Sequence, residues 1–180
     1  MDEEIEISGQ LVEDRVIIKD DFEKALPYFD RSSFGEVHGV KDKSLELSLV
    51  EALYLAERNK LHIYQGKKEL KFEDVLSKAS KKEENLYTRW RVYRDFRSRG
   101  YILKTALKFG ADFRVYRRGM KPGDDHAKWI LYCVSENQTE SWREFAAKMR
   151  VAHSTRKTLL IGCVDDEGDV TYWEIRWTKP

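Results

Sequence analysis

The chain has 180 residues, 41% of them hydrophobic and 36% charged, with a formal net charge of +1. The apolar share excludes wholesale disorder, and the length suffices for one ordinary domain or two small ones with a buried core. With so little net charge, a polyanion must be held by a local patch and not by the field of the whole molecule.

The first part of the chain alternates short extended runs with turns. Gly9 to Val12 and Arg15 to Ile18 flank Glu13-Asp14 in a hairpin-like pattern. Ser44 to Asn59 reads as a helix, with Leu47, Val50, Tyr54 and Leu55 on one face. Leu61 to Tyr64 reads as a strand, Gln65-Gly66 as a turn, Glu69 to Phe72 as a second extended piece and Phe72 to Ala79 as a short helix. This is a small mixed α/β unit without a catalytic cluster.

Lys78 to Glu84 is polar, and the domain boundary is expected near residue 82, giving units 1–82 and 83–180. Asn85 to Arg99 is a periodic helix with Leu86, Trp90, Tyr93 and Phe96 in one stripe, and Gly100 stands where a C-cap belongs. Strand-like runs follow at 101–105, 113–116 and 128–135. Ser141 to Val151 reads as a helix with Trp142, Phe145, Ala146 and Met149 inward. Leu159 to Val164 and Val170 to Trp177 read as a hairpin across the acidic turn Asp165 to Asp169. No stretch approaches the ~20 apolar residues that span a bilayer. Cys133 and Cys163 both sit in apolar runs, so two buried, reduced thiols and a soluble cytoplasmic setting are expected. No histidine stands at zinc-finger spacing from them.

The most informative stretch runs from Arg99 to Lys157. It carries Arg99-Gly100-Tyr101, then Lys108 to Tyr116 (KFGADFRVY), then Asp124-Asp125-His126, then Arg150 to Lys157 (RVAHSTRK). On composition alone each chemical residue has a plain alternative. Tyr116 could be core, His126 an idle loop histidine, Lys157 a solvated lysine, and His153 a structural residue hydrogen-bonded near its helix end. The arginines around Lys78 to Arg99 could be a solvated face. Arg150, Arg156, Lys157, Arg117 and Arg118 make the better local patch for phosphates.

Taken together, these motifs resemble the archaeal tRNA-splicing endonucleases of the short homotetrameric type. The Ser48 to Leu55 run and the acidic-Gly turn near the end resemble that family as well. The resemblance implies a restriction-endonuclease-like α/β core in the C-terminal unit. It implies Tyr116 as general base, His126 as general acid and Lys157 as stabiliser of the charged transition state. Arg150 would be half of a clamp on an extruded base. The other half matches Trp177 by distance from the chain end, a criterion that Arg176 also nearly meets. The implied substrate is precursor tRNA with a bulge-helix-bulge at the intron boundaries. Four copies would assemble as a dimer of dimers, through the acidic loop Asp165 to Asp169 and an apolar C-terminal strand.

The chemistry is self-consistent. RNA supplies its own nucleophile, the ribose 2′-hydroxyl, so no metal and no cofactor are required. What is needed is a base for the 2′ proton, an acid for the departing 5′ oxygen and a cation on the phosphorane oxygens. Imidazole is the natural acid near neutral pH, and Asp124 and Asp125 would favour its charged form if they face it. A phenol is mostly protonated at neutral pH, so a tyrosine base needs a nearby cation, with Arg117, Arg118 and Lys157 as the candidates; alternatively Tyr116 mainly orients the 2′-hydroxyl. The alternatives are a non-catalytic structural subunit of a heteromeric splicing endonuclease, a metal-dependent DNA nuclease and an RNA-binding module. The first usually lacks part of the Tyr-His-Lys set. The second needs clustered carboxylates for Mg²⁺.

Overall fold

A computed structural model describes residues 6–178. The acidic start Met1 to Ile5 and the terminal Lys179-Pro180 lie outside the described residues. The chain is α/β, with two mixed sheets and two compact units that divide between Trp90 and Arg91.

In the first unit, β1 (Ile7–Val12) and β2 (Arg15–Ile18) form the expected antiparallel hairpin. Helix α1 (Phe22–Ser32) follows, with β3 (Glu36–His38) and β4 (Ser44–Ser48) after it. Next come α2 (Leu49–Ala56), β5 (Leu61–Gln65), β6 (Lys68–Leu70) and α3 (Phe72–Ser80). The sheet order is β3-β4-β2-β1-β5-β6, and only β1 and β5 run parallel within it.

The helix expected over Ser44 to Asn59 is therefore shorter, because its first five residues are strand β4. Ser44-Leu45-Glu46-Leu47-Ser48 alternates polar and apolar, and Leu45 and Leu47 are both buried on one face of the sheet. Ser48 then starts the helix: its amide and hydroxyl donate to the Glu51 carboxylate at 2.9 and 2.7 Å. The same buried carboxylate accepts the Gly35 amide at 2.9 Å. Position 35 must be glycine, since its φ is +66° and a Cβ would come within 2.5 Å of the Glu46 carbonyl oxygen.

Helix α4 (Leu86–Ser98) crosses the division between the units. It stops in a Schellman turn, in which Gly100 (φ +83°) donates to the Arg97 carbonyl and Tyr101 to that of Phe96. The Phe96 and Tyr101 rings close that turn edge to face at 5.3 Å.

The second sheet has the order β11-β10-β9-β8-β7. Its strands are β7 (Leu103–Ala106), β8 (Ala111–Val115), β9 (Trp129–Ser135), β10 (Thr158–Val164) and β11 (Val170–Ile175). Only β9 and β10 are parallel, joined through α5 (Trp142–Ser154), which is the crossover a parallel pair requires.

The last turns of α4 cover one face of this sheet. Val92 packs on Gly162, Tyr93 on Phe113 and Phe96 on the half-buried Tyr172, whose hydroxyl donates to Asp95 at 2.8 Å. Helix α5 covers the other face, in a core of Ile130, Tyr132, Met149, Ala152, Leu159 and Ile161. Ser141 starts α5 by a capping box with Glu144. Met149 is buried and Phe145 and Ala146 half-buried, but Trp142 is 84% exposed, against the inward position expected for it. Trp142 lies in the first turn and packs edge-on to Phe145 instead. Cys133 is buried and Cys163 only partly so, and neither is in a disulfide. No helix of the described residues is long and apolar enough to cross a membrane.

Candidate active site

Strand β8 sets the site. Its residues alternate faces: Phe113 and Val115 are buried, while Arg114 shares its face with Ile130 and Leu159, on the side that α5 covers. Tyr116 continues that alternation one step past the strand end. Its amide donates to the Ile102 carbonyl at 3.0 Å, and the Val115 carbonyl accepts the Lys128 amide at 2.9 Å. The β8–β9 connection thus begins and ends on neighbouring ladder positions.

Two tight turns fold this loop back on itself. Met120 donates to the Arg117 carbonyl and Asp124 to that of Lys121, and Gly119 and Gly123 supply the positive φ these turns use. Asp125 bridges to Pro122, and its carboxylate accepts the His126 amide at 2.7 Å. His126 is exposed, while the Tyr116 ring is 5% exposed.

Lys157 comes from the other side, immediately after α5. The helix ends at Thr155 with Arg156 in the left-handed region (φ +55°), its amide on the His153 carbonyl. The Lys157 amide closes the turn on the Ala152 carbonyl at 2.8 Å. The Lys157 ammonium donates to the Thr155 carbonyl at 3.0 Å. Burial pushes the Lys157 pKa below the ordinary lysine value, and the positive charge of Arg114 pushes it the same way.

Tyr116, His126 and Lys157 line one cavity of about 360 Å³, together with Arg114, Gly123, Asp124, Asp125 and Ala127. That volume is at the lower end of small-ligand sites and is of a size to admit a ribose-phosphate unit. Among the described residues, no group of three or more His, Cys, Asp or Glu side chains could hold a metal ion.

Arg150 and Trp177 are not in the cavity wall. Arg150 is exposed on α5, one turn before His153. Trp177 is 51% exposed and stacks on the His153 ring, with centroids 5.2 Å apart and planes 29° from parallel. His153 therefore serves its helix end through its carbonyl, while its ring carries Trp177. Neither Arg117 nor Arg118 lines the cavity, and the Arg118 side chain lies near Gly100 instead. The cation beside Lys157 is Arg114. Its signal in the sequence is the i, i+2 spacing to Tyr116 within Phe113-Arg114-Val115-Tyr116, which puts both on one face of a strand. The arginines of α4 and its end are largely engaged elsewhere: Arg89 with Glu83, Arg97 with the Tyr101 carbonyl and Arg99, just past the helix, with Asp95.

An α/β chain with a tyrosine, a histidine and two cations around one cavity fits a nuclease. The sequence model described as "tRNA intron endonuclease, catalytic C-terminal domain" matches residues 86–172. The one described as "tRNA intron endonuclease, N-terminal domain" matches residues 7–76. The chain is 46% identical to the tRNA-splicing endonuclease of Thermococcus onnurineus over 158 residues, 87% of this chain and 89% of the relative. It is 44% identical to that of Pyrococcus furiosus over 146 residues, covering 81% and 82% of the two chains. With that of Methanothermobacter thermautotrophicus it shares 40% over 174 residues, 97% and 99% of the two chains. The chain belongs to the tRNA intron endonuclease family. It is an endoribonuclease.

Proposed function

We propose that the chain cuts precursor tRNA at bulge-helix-bulge intron boundaries without a metal, leaving 2′,3′-cyclic phosphate and 5′-hydroxyl ends. The observation that carries this is the shared cavity: Tyr116, His126 and Lys157 reach one space from a strand end, a loop and a helix end. In the reaction the 2′-oxygen–phosphorus bond forms as the phosphorus–5′-oxygen bond breaks. Tyr116 accepts the 2′ proton, His126 donates a proton to the leaving 5′ oxygen, and Lys157 stabilises the charge on the non-bridging oxygens. A scaffold subunit without activity would have no use for all three side chains in one cavity.

Arg150 and Trp177 form the base clamp in this proposal. Both lie near His153: Arg150 one turn before it on α5, and Trp177 stacked on its ring. A splayed base would lie between a guanidinium and an indole. The assembly is a cytoplasmic homotetramer. Edge strand β11 supports it by presenting Trp173, 51% exposed, beside the acidic turn.

The test is one incubation of the chain with a bulge-helix-bulge RNA, with and without EDTA. Equal cutting in both is expected. RNA left intact overturns the proposal, and cutting that EDTA abolishes overturns its metal-free chemistry.

A further inference from the structure

We infer that Arg114 is a second catalytic cation, one whose guanidinium donates to a non-bridging oxygen of the scissile phosphate. This rests on the proposed reaction and adds a residue to it.

Four observations lead there. Arg114 lines the same cavity as Tyr116, His126 and Lys157. Its Nε is buried and has no hydrogen-bond partner among the described residues, a costly state for a guanidinium nitrogen that no ligand satisfies. At its register positions the neighbouring strands place no counter-charge, Lys104 on β7 and Ile130 on β9, and the Asp112 carboxylate two residues back on the same face accepts the Cys133 amide. Like charges directly opposite one another weaken a ladder. Finally, the Arg114 charge is felt at Lys157, where it acts with burial to disfavour the ammonium.

These are the marks of a site built for an anion. Two cations held together against their own repulsion raise the energy of the empty site, and a phosphate between them removes that cost. The charge count agrees with the chemistry. A phosphodiester carries one negative charge, and the phosphorane formed by 2′-oxygen attack carries two. Lys157 matches the first and Arg114 the second, so their joint effect grows as the transition state forms. The position on β8 fixes the geometry: Arg114 and Tyr116 share one strand face, so the guanidinium is held beside the phenol that takes the 2′ proton.

The experiment is single-turnover cleavage and equilibrium binding of one bulge-helix-bulge RNA by the full chain and by Arg114→Gln, Arg114→Lys and Arg114→Ala. Arg114→Gln should cut about 100-fold more slowly or worse, with its RNA dissociation constant within about threefold of the parent. Arg114→Lys should recover part of the rate. Guanidinium ion added to a folded Arg114→Ala chain should restore cutting, and should do nothing for His126→Ala. The inference is overturned if Arg114→Gln cuts within about threefold of the parent. It is equally overturned if the rate falls only in proportion to RNA affinity, or if a folded Arg114→Ala chain is not rescued. A parent chain that leaves the RNA whole overturns the proposed function and this inference with it. A cutting parent beside an equally active Arg114→Gln overturns only the inference.

Discussion

The amide of Lys157 donates to the carbonyl of Ala152 at 2.8 Å, and that bond fixes where the ammonium leaves the end of α5. It requires the residue between, Arg156, to sit at φ +55°, a region disfavoured for any residue with a Cβ. Arg156→Gly should leave stability equal or raise it by up to about 1 kcal/mol, the relieved strain being partly offset by glycine's larger unfolded-state entropy. Arg156→Val should lower stability by more than about 1 kcal/mol and slow cleavage by displacing Lys157. Urea unfolding and single-turnover rates check both; a valine variant as stable as the glycine one contradicts the strained turn.

Lys157 is held below the ordinary lysine value first by burial and then by Arg114. A folded pKa below the unfolded one means that the folded chain disfavours the charged form. The resulting cost is full while lysine is charged in both states, and it fades as pH rises through the folded value towards the unfolded one. An anion bound between the two cations reverses this preference. Inorganic phosphate at a few times its dissociation constant should therefore stabilise the chain by about 1 kcal/mol near neutral pH. That gain should decline on the alkaline side before the ordinary lysine range is reached. Thermal unfolding of the parent and of Lys157→Met checks this, and an equal phosphate effect in the two chains contradicts it.

Trp177 stacks on the His153 ring with centroids 5.2 Å apart and is 51% exposed, and in the proposed clamp that open surface takes the base. Trp177→Ala should weaken binding of a bulged RNA by about 1–3 kcal/mol, and Arg150→Ala by a similar amount. Binding of a straight duplex should change little in either. Equal losses on both RNAs, read by fluorescence anisotropy, would assign these residues to general phosphate contact.

The acidic turn is firmly built. Asp165 and Asp169 bond through backbone and side chain, Asp166 is held by Glu136 and Asn137, and the Arg91 guanidinium occupies the place of a Gly168 Cβ. Its charge therefore projects from a fixed scaffold. If it docks on a neighbouring copy, the double variant Asp166→Asn with Glu167→Gln should melt near the parent temperature yet sediment as a dimer where the parent is a tetramer. A parent that sediments only as monomer, or a neutralised tetramer, contradicts the assembly.

Much of this was legible in the sequence where pattern and chemistry agree. The β1–β2 hairpin, helix α4 with its glycine stop and the β10–β11 hairpin each carry their own period and turn residues. Helix α1 was hidden by Pro27 in its interior, which removes a helical hydrogen bond and argues locally against the helix that Phe22 and Ala25 bury. Strand β4 was absorbed into the helix after it because Leu47, Val50 and Tyr54 also suit a helical face; the capping box at Ser48 is the signal that separates them. In the site, Tyr116, His126 and Lys157 were visible as motif residues, but their meeting in one cavity depends on the crossover through α5 and on the loop's two turns. Arg114, a lone arginine in a strand, carries no motif of its own, and only its alternation with Tyr116 points to the site.

The most direct measurement is end-group analysis of a bulge-helix-bulge RNA cut by the parent chain, beside the same RNA exposed to His126→Ala. The account predicts a 2′,3′-cyclic phosphate on one fragment and a 5′-hydroxyl on the other, with cutting by the variant slower by about 100-fold or more. Fragments ending in a 3′-hydroxyl and a 5′-phosphate, or a variant that cuts as fast as the parent, would contradict it.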